Sequence, residues 1–363
     1  MTDSMLKTGV LPLRARAGAF ADRLGIRLPI LLAPMAGACP PPLSIAVANA
    51  GGLGACGALL MTPDEIHKWS DAFRAGSKGE FQINLWIPDP PPARDSELEA
   101  RQREFLSQWG PVVPPDAGNR GLPDFDAQCE AILSVAPKAI SSIMGLFPPT
   151  FVAEMKARGI LWFATATTLA EAKAAEEAGA DAIVAQGMEA GGHRGAFHAE
   201  DAETLLVGSI ALLPQIADAV SVPVIAAGGI ADARGVAAAL ILGASAVLIG
   251  TGFLRSPEAG TPAAYADRLA ETAGHETMLT RAFSGRPGRS VATAYVRASR
   301  NGPPTAPYPV QRALTSAMRE AARRAGDAER MQLWAGQAAR LALAEPAGVI
   351  AARLWEGACG LLP

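Results

Sequence analysis

Short apolar runs recur along this chain, each closed by a proline, an amide or a glycine and followed by a stretch with helical spacing. Leu28–Met35 reads as a strand that stops at Pro34, because proline lacks a ladder donor and suits a strand end. A helix is expected over Leu43–Asn49, ended by Gly51-Gly52, and Leu53–Ala58 returns as a second buried strand. Thr62 then has the form of an N-cap, with Pro63 at the first helical position and Glu65 completing a capping box. Gln82–Leu85, Ala139–Met144, Leu161–Ala164, Ala182–Ala185, Pro223–Ala226 and Ala246–Ile249 continue the series of strands. Between them, Thr168 with Glu171 opens a helix through Ala178, Leu205–Ala219 supplies another, and Asp232 caps a third that Gly243 stops.

Strands alternating with helices in this way predict an α/β fold, a parallel (β/α)8 TIM barrel in preference to an open sheet. The barrel core is expected over residues 20–258. Residues 87–125 interrupt the rhythm with Pro88, Pro90, Pro91, Pro92, Pro114 and Pro115 around a charged helix near Ser96–Trp109, and read as an insertion or lid. Residues 259–363 are expected to be a mainly helical extension packed on the barrel, broken at Ser284–Ser290 and Asn301–Pro309.

Composition narrows the class. The 363 residues are 50% hydrophobic and 18% charged, with a formal net charge of −3, a globular profile. There is no basic footprint for nucleic acid and no polybasic membrane patch. Cys39, Cys56, Cys129 and Cys359 form no C-x-x-C pair, and the four histidines are dispersed, so no zinc spacing exists. Residues 1–20, with Lys7, Arg14 and Arg16, lack a continuous signal-peptide core. No uninterrupted apolar run of about 18 residues suggests a membrane span, so a cytoplasmic protein is expected. The assembly state is open, with a homodimer as one option.

The chemistry converges on residues 182–195, where an apolar strand opens into Gln186, Gly187, Gly191, Gly192, His193 and Gly195. A buried strand ending in a polar glycine-rich turn is what the C-terminal mouth of an α/β barrel requires, and loops there carry catalysis. Glycine lets a ligand approach the main chain. Two further glycine turns, Gly228-Gly229 and Gly250-Thr251, follow the seventh and eighth predicted strands, the usual place for a phosphate site in barrels. No G-x-x-x-x-G-K-[ST] occurs and no G-x-G-x-x-G opens a helix within a Rossmann unit, so a cofactor held by backbone is indicated, and FMN fits. Asn84 and Gln186 are amides for the pyrimidine edge of its ring, and Ala33-Pro34-Met35 forms a small apolar floor.

These residues resemble the nitronate monooxygenases, FMN-dependent (β/α)8 enzymes. The shared pattern comprises Ala-Pro-Met-Ala-Gly at 33–37, Asn-Ala-Gly-Gly-Leu-Gly at 49–54, Asn-Leu at 84–85 and Ala-Gln-Gly-Met-Glu-Ala-Gly-Gly-His-Arg-Gly at 185–195. It continues with Ala-Ala-Gly-Gly-Ile at 226–230, Ile-Gly-Thr at 249–251, Phe-Ser-Gly-Arg-Pro at 283–287 and Leu-Trp-Ala-Gly-Gln at 333–337. The resemblance implies that His193 is the catalytic base and that an alkyl nitronate is oxidised by O2 to a carbonyl compound and nitrite. Taken with the glycine turns, it makes Ala33, Pro34, Met35, Asn84, Gln186, Gly187, Gly191, Gly192, Gly228, Gly229, Leu248, Ile249, Gly250 and Thr251 the candidate FMN contacts. The chain departs from the family in having Ile143 where better-studied members have a histidine, and Cys39 in the first loop. An NAD(P)H-dependent FMN reductase of a quinone or enoyl thioester is the rival activity. Around the centre, Glu189 is read as orienting His193 or facing solvent, and Arg194 as holding an anionic substrate or pairing with Glu189. Arg286 is read as tying the tail to the barrel, Cys39 as packing, His198 as solvent-facing or substrate-gating, and Trp86 and Tyr308 as pocket walls.

Overall fold

The computed structural model describes residues 13–363; Lys7, part of the signal-peptide argument, lies outside them. Its strands are β1 (Ile30–Leu32), β2 (Gly54–Gly57), β3 (Phe81–Trp86), β4 (Ala139–Ile143), β5 (Leu161–Ala166), β6 (Ala182–Gln186), β7 (Gly192–His193), β8 (Val224–Ala227), β9 (Ala246–Ile249), β10 (Thr277–Thr280) and β11 (Gly288–Val291). Eight of them form one sheet in the order β1-β9-β8-β6-β5-β4-β3-β2, every named pairing parallel. A bridge between Leu31 and Leu53 closes the ring. The fold is a TIM barrel, as the alternating pattern predicts.

Strand periodicity decides what fills it. Side chains alternate between faces, so one parity of each strand points inward. At the N-terminal end the interior is apolar: Leu31, Leu53, Phe163, Ala182 and Ile225 pack against Phe20 and Leu24 of the helix Leu13–Leu24, which plugs that end. The same parity carried upward gives Gln82 and Asn84 on β3, Ser141 on β4, Thr165 on β5 and Gln186 on β6. The barrel is therefore dry at one end and polar at the other, and the polar end lies at the C-terminal mouth.

Local caps behave as written in the sequence. Thr62 and Thr168 each form complete capping boxes, with Glu65 and Glu171, and the Asp232 side chain accepts from the Gly235 N–H. The helix expected over Leu205–Ala219 is shorter, Ser209–Ala217. Its orphan N-terminal amide is satisfied from elsewhere: Glu189 accepts from the N–H and hydroxyl of Ser209. The apolar run Leu205–Val207 lies before that cap and is not helical.

The C-terminal segment holds more strand than expected. β10 and β11 pair antiparallel, and β11 pairs with β7, so the break read at Ser284–Ser290 becomes a strand from Gly288 onward. The Pro-rich insertion packs against this segment. Gln102, on the helix Ser96–Ser107, donates to the Pro303 and Pro304 carbonyls, and Leu106 shares a cluster with Phe283, Tyr295 and Val310. Among the described residues no helix is long and apolar enough to cross a membrane.

Candidate active site

A cavity of about 620 Å³ opens at the polar end of the barrel. His193 lines it, held on β7 by pairing with Gly288. Its ring sits between two indoles, Trp86 at 4.6 Å and Trp334 at 4.8 Å, both in edge geometry. Nε2 lies 2.7 Å from Ser284 Oγ, and that hydroxyl donates to the Arg286 carbonyl at 3.0 Å. The chain of donors puts the imidazole proton on Nε2 and leaves Nδ1 as the free acceptor. Enclosure away from water, with Arg286, Arg312 and Arg319 adding like charge, lowers the His193 pKa to about 3. The imidazole is neutral at physiological pH.

The two amides face the cavity with opposite polarity. Asn84 Nδ2 donates to the Ser141 carbonyl and hydroxyl, both at 3.1 Å, so its carbonyl oxygen is the free group. Gln186 Oε1 is taken by Arg194 Nη1 at 3.1 Å and the Gly195 N–H at 2.8 Å, while Nε2 donates to the His193 carbonyl at 3.1 Å. One Gln186 N–H remains. Gln82, on the same inward parity as Asn84, lines the cavity with its Oε1 buried and unpartnered. It was missed in the sequence, although a glutamine two residues before an inward asparagine was the signal.

Arg194 is 1% exposed and reaches neither substrate space nor Glu189. It donates to the Gln186 and Gly187 carbonyls as well as to Gln186 Oε1. Glu189 turns from His193 to cap Ser209. Arg286, buried, ties Asp89 of the insertion to the Ala196 carbonyl of the central loop. Cys39 Sγ donates to the Ala33 carbonyl and burial pushes its pKa up to about 12, so it is a packing thiol. His198 is exposed on the loop beyond β7.

Among the candidate cofactor residues, Ala33, Pro34, Met35, Asn84, Gln186, Gly191, Gly192, Gly228, Gly229, Leu248, Gly250 and Thr251 line the cavity. Two do not. Ile249, of the opposite parity to Leu248, is buried among the outer helices, and Gly187 faces Ser209, whose Oγ would lie 2.0 Å from an added Cβ. Gly228 and Gly229 have φ of 102° and 74°, a backbone shape that favours glycine. It leaves the Gly229 and Ile230 amides without a backbone acceptor. Thr251 Oγ1 accepts from the Gly336 N–H at 3.0 Å and keeps its own hydrogen to donate. Ser284, Trp334, Arg312 and Arg319 also line the cavity; the first two lay inside quoted motifs without a role, and the arginines carried no signal.

A parallel barrel that gathers a histidine, opposed amides and glycine turns at its C-terminal mouth has the build of a TIM-barrel enzyme. A family profile described as nitronate monooxygenase matches residues 19–357. A Staphylococcus aureus (strain Newman) protein named "Probable nitronate monooxygenase" is 36% identical over 334 residues, covering 90% of this chain and 93% of that protein. Nitroalkane oxidase from Streptomyces ansochromogenes superposes with a TM-score of 0.85 at 37% identity, over 94% of this chain and 98% of that one. FabK from Thermotoga maritima superposes with a TM-score of 0.71 at 28% identity, over 94% and 96%. The chain belongs to the nitronate monooxygenase family.

Proposed function

We propose that this enzyme binds FMN in the cavity and oxidises alkyl nitronates with O2 to a carbonyl compound and nitrite. The observation that carries the reading is the placement of a neutral, tautomer-locked His193 beside an amide acceptor and an amide donor. The residues suit the cofactor: the Asn84 oxygen and the Gln186 N–H match a pyrimidine edge that offers both a donor and acceptors. The orphan Gln82 oxygen provides a further acceptor, and the Gly229, Ile230 and Thr251 donors suit a phosphate. Bound there, FMN supplies the electron-transfer chemistry that side chains lack.

His193 is unprotonated and free to accept a proton above about pH 3, but an imidazole titrating near 3 is a weak base. A nitronate arrives already deprotonated and does not need it; a neutral nitroalkane does. Preformed nitronates are therefore the better substrates. The indoles of Trp86 and Trp334 pack edgewise against the ring and hold it in place.

The test is to purify the protein, establish that it carries yellow FMN, and mix it anaerobically with an alkyl nitronate before admitting air. Flavin reduction followed by nitrite release supports the reading. The rival is an NAD(P)H-dependent FMN reductase of a quinone or enoyl thioester, which the same barrel and glycine turns would serve. Full bleaching by NADH together with indifference to the nitronate would replace the first reading with that one.

A further inference from the structure

One end of the cavity carries two arginines without an ion-pair partner, although Glu320 also lines it. Arg312 and Arg319 line it, from the short helix Val310–Leu314 and the following helix Ser316–Ala325. Among the described residues neither guanidinium has a carboxylate oxygen within 4.0 Å. Arg319 is held rigidly by neutral acceptors alone: Thr315 Oγ1 at 3.2 Å, Gln332 Oε1 at 3.0 Å and the Arg312 carbonyl at 2.9 Å. Glu320, the carboxylate nearest in sequence, pairs instead with Arg324. Beside them the Tyr308 hydroxyl is buried without a partner, its ring 5.5 Å from Trp86. A half-buried guanidinium gains most from a charge-assisted partner, and leaving it unmatched is unfavourable. This end offers donors and cations, and among the described residues no carboxylate pairs with them.

Its place in the ring separates it from the phosphate cradle. Tyr308 stands on Trp86 at the end of β3, and the Gly228–Ile230 turn follows β8. In the closed order of eight strands β3 and β8 are four steps apart in either direction, so the two ends face each other across the mouth. His193 lies close enough to Arg312 and Arg319 for their charge to depress its titration.

We infer that Arg312, Arg319 and Tyr308 form the anion site that receives the negatively charged oxygens of the substrate, selecting a preformed nitronate over the neutral nitroalkane. The inference rests on the proposed function for its substrate, while the site itself is a property of the cavity. Two measurements test it on the FMN-loaded enzyme. In the first, Arg312→Gln and Arg319→Gln are assayed with an alkyl nitronate and with its parent nitroalkane. The nitronate KM is expected to rise about tenfold or more with kcat little changed, the nitroalkane KM to stay, and Arg312→Lys to recover part of the loss. In the second, nitrate, a planar monoanion shaped like the nitronate head, is titrated while tryptophan fluorescence reports on Trp86 and Trp334. Saturable binding that weakens about tenfold in Arg312→Gln, with FMN affinity intact, supports the site. Equal nitrate binding in wild type and variants overturns it. A loss of FMN affinity without a nitronate KM effect also overturns it, assigning the arginines to the cofactor. Arginine-dependent nitrate binding in an enzyme that releases no nitrite would keep the anion site and reject the nitronate reading.

Discussion

His193 shows how an environment resets a side chain. A free imidazole titrates near 6.5, yet between two indoles and three arginines this one stays neutral down to about pH 3. Its NMR signals should not titrate between pH 5 and 8. In the linkage, the unfolded chain binds the proton first as pH falls. The stability this residue contributes is thus complete above 6.5 and is lost progressively as pH drops towards 3. His193→Asn should lower turnover of a neutral nitroalkane by roughly 10²–10⁴-fold and affect a preformed nitronate much less, because only the former needs a proton removed. Equal losses on both substrates would remove the base from the account. Arg194 acts at one remove: it occupies Gln186 Oε1 and so decides which atom of the amide meets the cavity. Its Nε and Nη2 are buried and unpartnered, so Arg194→Met removes an uncompensated charge along with the lock. We expect a thermal midpoint close to wild type and an FMN dissociation constant raised about tenfold. Fluorescence titration of the apoprotein with FMN would measure the second.

Elements meet at the site through contacts too close for a side chain. An added Cβ on Gly191 would lie 2.4 Å from the Gly336 nitrogen and 2.6 Å from the Ala335 carbonyl carbon, both backbone. Gly191→Ala must therefore push away the segment that carries Trp334. Overpacking of this kind costs about 1–3 kcal/mol, and here it should also release the indole from His193. A lowered denaturant midpoint at constant m, with red-shifted tryptophan emission, is the expected result. At this scale the chain was partly legible. The capping residues Thr62, Thr168 and Asp232 announced their helices, since the donor and acceptor of a cap lie within a turn of each other. The helix at Ser209 was placed too early because its cap, Glu189, stands twenty residues back and joins it only in the folded barrel. The strand β11 was read as a break because the glycines and proline before it mark the turn from β10, its antiparallel partner, while its other neighbour, the two-residue β7, stands far back in the chain.

For the whole molecule, the insertion and the C-terminal segment bear on each other and on the mouth. Asp89 reaches Arg286, which in turn holds the Ala196 carbonyl. Arg286 is 1% exposed, and Asp89→Ala leaves it buried without its carboxylate. That should destabilise the protein by roughly 1–3 kcal/mol, read as a shift in urea midpoint. An unchanged midpoint would show that water replaces the carboxylate.

The barrel and much of its chemistry were written locally. Strand period, glycine turns and capping boxes are relations between residues a few positions apart, and together they predicted the (β/α)8 ring, the amides Asn84 and Gln186, and His193. The same parity rule would have added Gln82 and excluded Ile249. What the linear chain could not show were relations across long separations. Ser284 joins His193 from 91 residues away, and Asp89 meets Arg286 from 197. Trp334 and the two arginines are likewise brought over the mouth by the tail. No periodicity records which distant segments will meet, because that depends on how ring closure and burial bring surfaces together. The sequence by itself determined the barrel and the groups its strands present; only the tertiary structure decided the tautomer, the charge and the far wall of the site.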